Sequence, residues 1–188
     1  MKTIIILGSR NPEGQTAVAA SCMAEGMANR GMLVEKYFLP SMDIRLCEQC
    51  DVNGWGICIT EGKCTIQDDF EELVKGIRDA DAVVFATPVY FGDLSESMKA
   101  FLDRLRRISM NVKGQADIKG KPAAGICVAG GGGGGSPECL LILNRVLGTC
   151  GFNVIDIVPV RRQNTDLKKQ VLVTTGEWFA DYLIKSGT

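Results

Sequence analysis

Five short apolar runs, rich in β-branched residues, recur along the chain, and each is bounded by glycine, proline or polar residues. They cover residues 3–7, 33–38, 82–86, 123–129 and 153–158. Continuous runs of this length are typical of strands that are buried on both faces of a sheet. Segments with helical spacing alternate with them, at about residues 14–30, 68–79, 95–107, 137–151 and 166–184. The alternation predicts an α/β fold, a five-stranded parallel sheet with helices on both faces.

Residues at the helix ends support these boundaries. Gly31 stands where the first helix should stop, and Asp68 and Ser95 are candidate N-caps of the second and third helices. Ser136 is expected to cap the fourth helix, with Pro137 at the first helical position. The order of elements is therefore supported by local chemistry as well as by periodicity.

Two stretches fall outside the alternation of strands and helices. Residues 41–67 are rich in cysteine and are expected to be irregular, and residues 109–121 form a polar excursion before the fourth strand. Insertions of this kind usually lie at functional rims or subunit contacts. A length of 188 residues suits one domain. Residues 1–188 are therefore expected to form a single domain with a cysteine-rich insertion at about residues 41–67.

Composition excludes several classes of function. The chain has 21 basic and 22 acidic residues and a formal net charge of −1, which is not the charge of a nucleic-acid-binding protein. The apolar run at residues 4–7 is too short for a secretory signal or a membrane span, so we expect a cytoplasmic protein without a membrane anchor. The sequence contains no histidine, which excludes histidine acid–base catalysis and histidine-containing zinc sites. The chemistry must depend on other groups or on a cofactor.

The loop after the first strand has the chemistry of a phosphate site. In a doubly wound sheet, ligands bind outside the carboxyl ends of the strands. Residues 8–16, GSRNPEGQT, lead from the first strand into the first helix and offer hydroxyls, a guanidinium and free amides at a helix N-terminus. The loop contains neither GxGxxG nor the P-loop motif, which disfavours a dinucleotide fold and a nucleoside triphosphatase.

The loops after the third and fourth strands are equally unusual. Residues 86–93, ATPVYFGD, combine a rigid proline, two aromatic residues and a glycine, which can form a flat wall for a planar heterocycle. Residues 130–135 are six consecutive glycines, and such a run is costly in backbone entropy. It predicts either a close approach of the backbone to a ring edge or a mobile loop beside a second substrate.

Three motifs carry a family resemblance that covers nearly the whole chain: GSRNPEGQT, TPVYFGDLSESMKAFLDRL and AGGGGGGSPE. They resemble the NADPH-dependent FMN reductase and iron–sulfur flavoprotein families of the flavodoxin-like superfamily. The resemblance implies a flavodoxin-like fold of strand order 2-1-3-4-5 and a bound FMN. It implies that the FMN phosphate is held by Ser9, Arg10, Gly14, Gln15 and Thr16. The residues implied to line the isoalloxazine and ribityl groups are Pro88, Val89, Tyr90, Phe91 and Gly92. Those implied to close the other edge are Gly130, Gly131, Gly132 and Gly133.

Four of the eight cysteines form a compact motif with the spacing C-x2-C-x7-C-x5-C. These candidate ligands are Cys47, Cys50, Cys58 and Cys64. Thiols this close in sequence can converge on one centre, and without histidine the alternatives are an all-cysteine zinc site, an iron–sulfur cluster, or thiols that bind nothing. The iron–sulfur flavoproteins resemble the chain here too, which implies a [4Fe-4S] cluster, although their second and third cysteines are typically closer. The cysteines expected to be buried small apolar residues are Cys22, Cys127, Cys139 and Cys150.

The resemblance implies an FMN-dependent oxidoreductase that passes electrons from NAD(P)H or a low-potential carrier through FMN to an acceptor. The alternative is an iron–sulfur flavoprotein electron carrier that is reduced by ferredoxin and does not use NAD(P)H; a flavin-free scaffold is a third hypothesis. No side chain is predicted to be catalytic, because the flavin performs the electron chemistry. The basic group of the third helix, Lys99, Arg104, Arg106 and Arg107, is expected to be solvent-exposed. The family also implies a homodimer or homotetramer.

Overall fold

The computed structural model describes residues 1–51 and 53–186, and its strands form one five-stranded sheet. All strand pairs are parallel, and the order is β2-β1-β3-β4-β5. The strands are β1 (Lys2–Leu7), β2 (Leu33–Phe38), β3 (Ala82–Pro88), β4 (Pro122–Ala129) and β5 (Asn153–Arg161). The predicted fold and strand order are confirmed. The strand order reverses between β1 and β3, whose carboxyl ends carry the first two predicted loops.

Helices cover both faces of this sheet. They are α1 (Gln15–Asn29), α2 (Ile57–Thr60), α3 (Phe70–Asp79), α4 (Glu96–Ile108), α5 (Val112–Gln115), α6 (Ser136–Cys150) and α7 (Thr165–Ser186). One apolar core lies between the sheet and α1 with α7, and the other lies between the sheet and α3, α4 and α6. The five predicted helices are confirmed to within two residues at each end. The two short helices, α2 and α5, lie in the stretches that interrupt the predicted alternation.

Four local predictions need correction. The N-cap of α3 is Asp69 and not Asp68, which lies one residue before it. Strands β2 and β5 are at the edges of the sheet and are only partly buried, because each has a neighbour on one side. Ser136 is the first residue of α6 and not its N-cap; the N-cap is Gly135, which has a left-handed backbone. Cys22 is only partly buried, since it lies near the outer face of α1, whereas the other three cysteines of its group are buried as predicted. Within the described residues, no helix combines the length and apolar character needed to cross a lipid bilayer.

Candidate functional site

The three predicted loops meet at the carboxyl ends of the strands. They enclose a cavity of about 320 Å³, lined by Ser9, Gln15, Thr16, Pro88, Val89, Tyr90, Val128, Gly130 and Gly131. An adjoining, more open cavity of about 600 Å³ is lined by Val89, Tyr90, Phe91, Glu96 and residues 129–134. The two cavities share residues of the second and third loops, so they form one continuous cradle of the size that cofactor sites have. Arg10, Gly14 and Gly92 are not among the residues that line either cavity.

The narrower cavity ends at the N-terminus of α1. The helix begins at Gln15, and its N-cap, Gly14, supplies no side-chain hydrogen bond to the first turn. That turn contains no acidic residue, and Thr16, which belongs to it, is 4% exposed. The amides of the first turn are therefore available to an anion, and the helix dipole favours negative charge at this point. Arg10 is exposed outside the cavity, and its contact with a phosphate stays a prediction.

A hydrogen-bonded contact fixes the first loop against the second. Ser95 is the N-cap of α4, as predicted, and its Oγ accepts from the amide of Met98. Its own amide donates to Thr87 Oγ1 at 3.1 Å, and Ser97 Oγ donates to the carbonyl oxygen of Gly8 at 3.2 Å. A Cβ at Gly8 would lie 2.3 Å from Ser95 Oγ, so only glycine allows this approach. The supporting contacts of Thr87 and Ser97 are not predicted from the sequence, because each joins segments of the chain that are not adjacent in sequence.

The second loop ends in a tight turn with left-handed backbone. The amides of Tyr90 and Asp93 each donate to the other's carbonyl oxygen. Phe91 has φ of 52° and Gly92 has φ of 80°, the geometry of a type I′ turn. Tyr90 is 47% exposed, and the side chain of Phe91 is fully exposed. The two aromatic residues therefore stand at the rim of the cradle and are not part of the core.

The glycine run borders the cradle from the other side. A Cβ at any of residues 130–132 would meet no atom within 4 Å, so these glycines leave the cradle open. Gly135 has φ of 79°, and a Cβ there would lie 2.8 Å from the Cα of Gly92 in the second loop. Gln163 Nε2 donates to the carbonyl oxygen of Gly132 at 2.9 Å and ties the run to the end of β5. The predicted close approach to a ring edge is thus sterically available, with Gly135 setting the distance between the loops.

The four cysteines of the predicted ligand motif line a second cavity, together with Lys63, Arg104 and Arg107. Its volume is about 20 Å³, enough for one water molecule. Among residues 1–51 and 53–186, no three such side chains are placed to hold a single metal ion. Among the described residues the four thiols line a space but are not placed as zinc ligands, whose sulfur atoms lie about 2.3 Å from the ion.

Arg104 is buried, although the sequence predicts that it lies on a solvent-exposed face of its helix. It is 1% exposed, because the cysteine loop and α3 cover this part of α4. Its Nη2 donates to Asp68 Oδ1 at 2.9 Å and to Cys64 Sγ at 3.4 Å, and its Nη1 donates to the carbonyl oxygen of Arg45 at 3.0 Å. The guanidinium also lies over the ring of Phe70, 4.1 Å from its centroid. Arg104 thus joins both ends of the cysteine segment to α4.

Asp68 completes this buried ion pair. Its side chain is 0% exposed and also accepts from the amides of Arg45 and Phe70. Burial by itself would raise the pKa of Asp68, but the hydrogen bonds from Arg104 and the two amides, with the charge of Arg104, outweigh burial and lower the pKa. Asp68 therefore stays ionised and holds the start of α3 against the cysteine loop.

The parallel sheet, the cradle at its carboxyl edge and the free helix N-terminus define a flavodoxin-like flavoprotein. Comparison with known families agrees: the model of the NADPH-dependent FMN reductase family matches residues 1–165. The chain belongs to this family and is an FMN-dependent oxidoreductase.

Two relatives are iron-sulfur flavoproteins, and a solved structure shares the fold. The chain is 31% identical to an iron-sulfur flavoprotein of Archaeoglobus fulgidus, over 90% of this chain and 75% of the relative. It is 33% identical to an iron-sulfur flavoprotein of Methanocaldococcus jannaschii, over 70% of this chain and 65% of the relative, slightly less than two thirds. A flavodoxin from the domain Archaea superposes with a TM-score of 0.62 at 16% identity, covering 97% of this chain and 99% of that one.

Proposed function

We propose that the chain binds FMN in the cradle and passes electrons from NAD(P)H or a low-potential carrier to an acceptor, with an iron–sulfur cluster in the cysteine cavity as a second redox centre. The observation that carries the FMN site is that residues of three loops, far apart in sequence, line one cavity. FMN, when bound, supplies the one- and two-electron chemistry that this histidine-free chain lacks. The protein supplies binding, orientation and exclusion of water.

Each part of the cradle has a proposed task. The first turn of α1, with Ser9, Gln15 and Thr16, holds the phosphate dianion through amides and hydroxyls. Pro88 and Val89 present backbone and apolar surface to the ring system. Tyr90 and Phe91 stand at the rim, where an acceptor or nicotinamide would enter the larger cavity.

A phosphate-specific loss of affinity tests this placement. We expect Thr16→Val to weaken FMN binding about 10- to 100-fold, because a hydrogen bond to a charged group contributes about 1.5–3 kcal/mol. Riboflavin, which has no phosphate, should bind the variant and the wild type with similar affinity. Fluorescence titration of the apoprotein with both flavins measures this, and Thr149→Val, at an exposed threonine of α6, is the control. Equal losses for FMN and riboflavin would place the phosphate elsewhere.

The residues of the cysteine cavity fit an iron–sulfur cluster in donor type, number and charge. Four thiols are the ligand set of [4Fe-4S] clusters, and three cationic side chains share the cavity with one carboxylate, that of Glu48. Arg104 Nε is buried and has no hydrogen-bond partner among the described residues, which leaves a donor for an anionic group. Cys47, Cys50, Cys58 and Cys64 would ligate the cluster, and Arg104 would lie beside it.

Metal analysis tests the cluster directly. We expect protein prepared without oxygen to contain iron and acid-labile sulfide in equal amounts, with a broad visible shoulder beside the flavin bands. Replacing all four cavity cysteines with serine should remove the iron and leave FMN content unchanged, because the two cavities share no lining residue. Cys22→Ser, at a partly exposed cysteine of α1, is the matched control. Iron-free wild-type protein after anaerobic reconstitution would contradict the cluster.

The electron donor separates the two functional candidates. Steady-state NAD(P)H oxidation that depends on FMN supports the reductase, whereas no turnover with NAD(P)H and fast reduction by ferredoxin supports the carrier. Because a cluster in the cysteine cavity is part of the proposal, both donors should be tested on the same preparation. We further propose a homodimer or homotetramer, which size-exclusion chromatography with light scattering measures.

A further inference from the structure

We propose that Arg104 is a positioning residue that raises the reduction potential of the cluster in the cysteine cavity, by a hydrogen bond to Cys64 and a buried positive charge. This inference rests on the proposed cluster. It goes beyond the ligand set, because it assigns to one residue of α4 the control of the energy of the second redox centre.

The geometry distinguishes Arg104 from the other cations of the cavity. Arg107 Nη1 donates to the carbonyl oxygen of Gly54 at 2.6 Å, and its guanidinium lies 4.5 Å from the ring centroid of Trp55. Lys63 is exposed to solvent. Arg104 is 1% exposed and donates to Cys64 Sγ, so its charge is the least screened by water. A neutral thiol is a weak acceptor, whereas a cluster-bound thiolate is anionic and gains most from this donor.

The orientation of Arg104 is fixed from several sides. Asp68 accepts hydrogen bonds from both terminal nitrogens of Arg104, and the carbonyl oxygen of Arg45 also accepts from Nη1. The ring of Phe70 lies beneath the guanidinium. Asp68 is itself held by two backbone amides. The donor that points at Cys64 therefore does not reorient freely, and a fixed donor is the kind that tunes a metal centre.

The direction of the effect follows from charge. One-electron reduction of the cluster adds one electron and no proton, so the negative charge in the cavity rises by one unit. A buried cation and an N–H donor to sulfur stabilise the reduced form more than the oxidised form. Loss of Arg104 should therefore make the reduction potential more negative, and the flavin potential should change little, because Arg104 does not line the cradle.

The test uses anaerobically prepared holoprotein titrated with dithionite as the electron source, in the presence of mediators. The EPR signal of the reduced cluster gives its potential, and the flavin absorbance gives an internal reference. The variants are Arg104→Gln, which removes the charge, and Arg104→Lys, which keeps the charge and loses the planar fork. Arg106→Gln is the matched control, because Arg106 is a partly exposed neighbour on α4 that pairs with Asp103 and does not line the cavity.

We expect a more negative cluster potential in Arg104→Gln, a smaller shift in Arg104→Lys and none in Arg106→Gln. If Arg104→Gln fails to retain a cluster, Arg104→Lys decides: it should retain the cluster with a shifted potential and an altered EPR line shape. If Arg104→Gln retains the cluster with the wild-type potential and line shape, the role of Arg104 is overturned and the proposed cluster is not. The same holds if only Arg104→Lys retains the cluster and shows the wild-type potential and line shape. Wild-type protein without iron would overturn the cluster, and the inference with it.

Discussion

Replacing Gly8 with alanine is expected to weaken FMN binding about tenfold or more, a loss of ~1.4 kcal/mol, and to destabilise the fold. The added Cβ would lie 2.3 Å from Ser95 Oγ and 3.0 Å from Met98 Cβ. Relief requires α4 to move away from β1, which separates the first loop from the second and opens the cradle. Overpacking of this kind costs about 1–3 kcal/mol, and a disturbed N-cap adds about 1 kcal/mol.

Urea unfolding and FMN titration of the same preparations measure both effects. Gly148→Ala is the matched control, because Gly148 lies in the helix α6 and an added Cβ would meet no atom within 4 Å. That variant should be more stable by about 0.5–1 kcal/mol, with unchanged FMN affinity. Wild-type FMN affinity in Gly8→Ala would show that the spacing of the first two loops does not set the site.

Replacing Asp68 with asparagine should have the largest effect on stability, about 3–5 kcal/mol at neutral pH. The substitution leaves the buried guanidinium of Arg104 without its counter-charge, and breaking a buried pair costs more than the pair contributes. Asp103→Asn is the control, because Asp103 is 42% exposed and pairs with Arg106 on the surface of α4. Exposed pairs of this type contribute at most about 1 kcal/mol. Urea unfolding compares the variants, and similar losses in both would contradict the structural role of the buried pair.

The effect of Asp68→Asn should also depend on pH in a defined direction. The pKa of Asp68 in the folded protein is lowered from its ordinary value of 3.8, so the folded state favours the ionised form. The stability from this carboxylate is then fully present above the pKa of the unfolded chain and is lost as pH falls through the lower, folded pKa. The difference between wild type and variant should be constant above about pH 5 and shrink below pH 3.8. A difference that grows towards acid pH would contradict this.

The fold could be predicted from sequence because its signals are local. The buried strands β1, β3 and β4 appear as continuous apolar runs, and Ser95 caps α4 where the sequence places it. The burial of the edge strands was harder to predict, since Leu33–Phe38 carries charged residues on a half-exposed surface. Ser136 was misplaced because serine before proline is a common helix start, whereas the contact of Gly135 with the second loop sets the actual cap.

Like the fold, the candidate site could be predicted only in part from the sequence. The three loops could be found because parallel strands bring their carboxyl ends to one edge, and most of the predicted cofactor-binding residues do line the cradle. Gln163 and Ser97 could not be found, because their partners are the backbone of Gly132 and Gly8, far away in sequence. Backbone partners leave no mark on the side-chain pattern of either segment.

By itself, the sequence determined the order of elements, the parallel sheet and the three loops, because periodicity and turn chemistry act over a few residues. It also determined the absence of histidine, so that the chemistry must depend on other groups or on a cofactor. Only the tertiary structure decided that Arg104 is a buried cation beside Cys64, where periodicity favoured a solvated one. The physical reason is that burial depends on what covers a helix, and the cysteine loop crosses α4 through contacts with residues about 40 to 60 positions away in sequence.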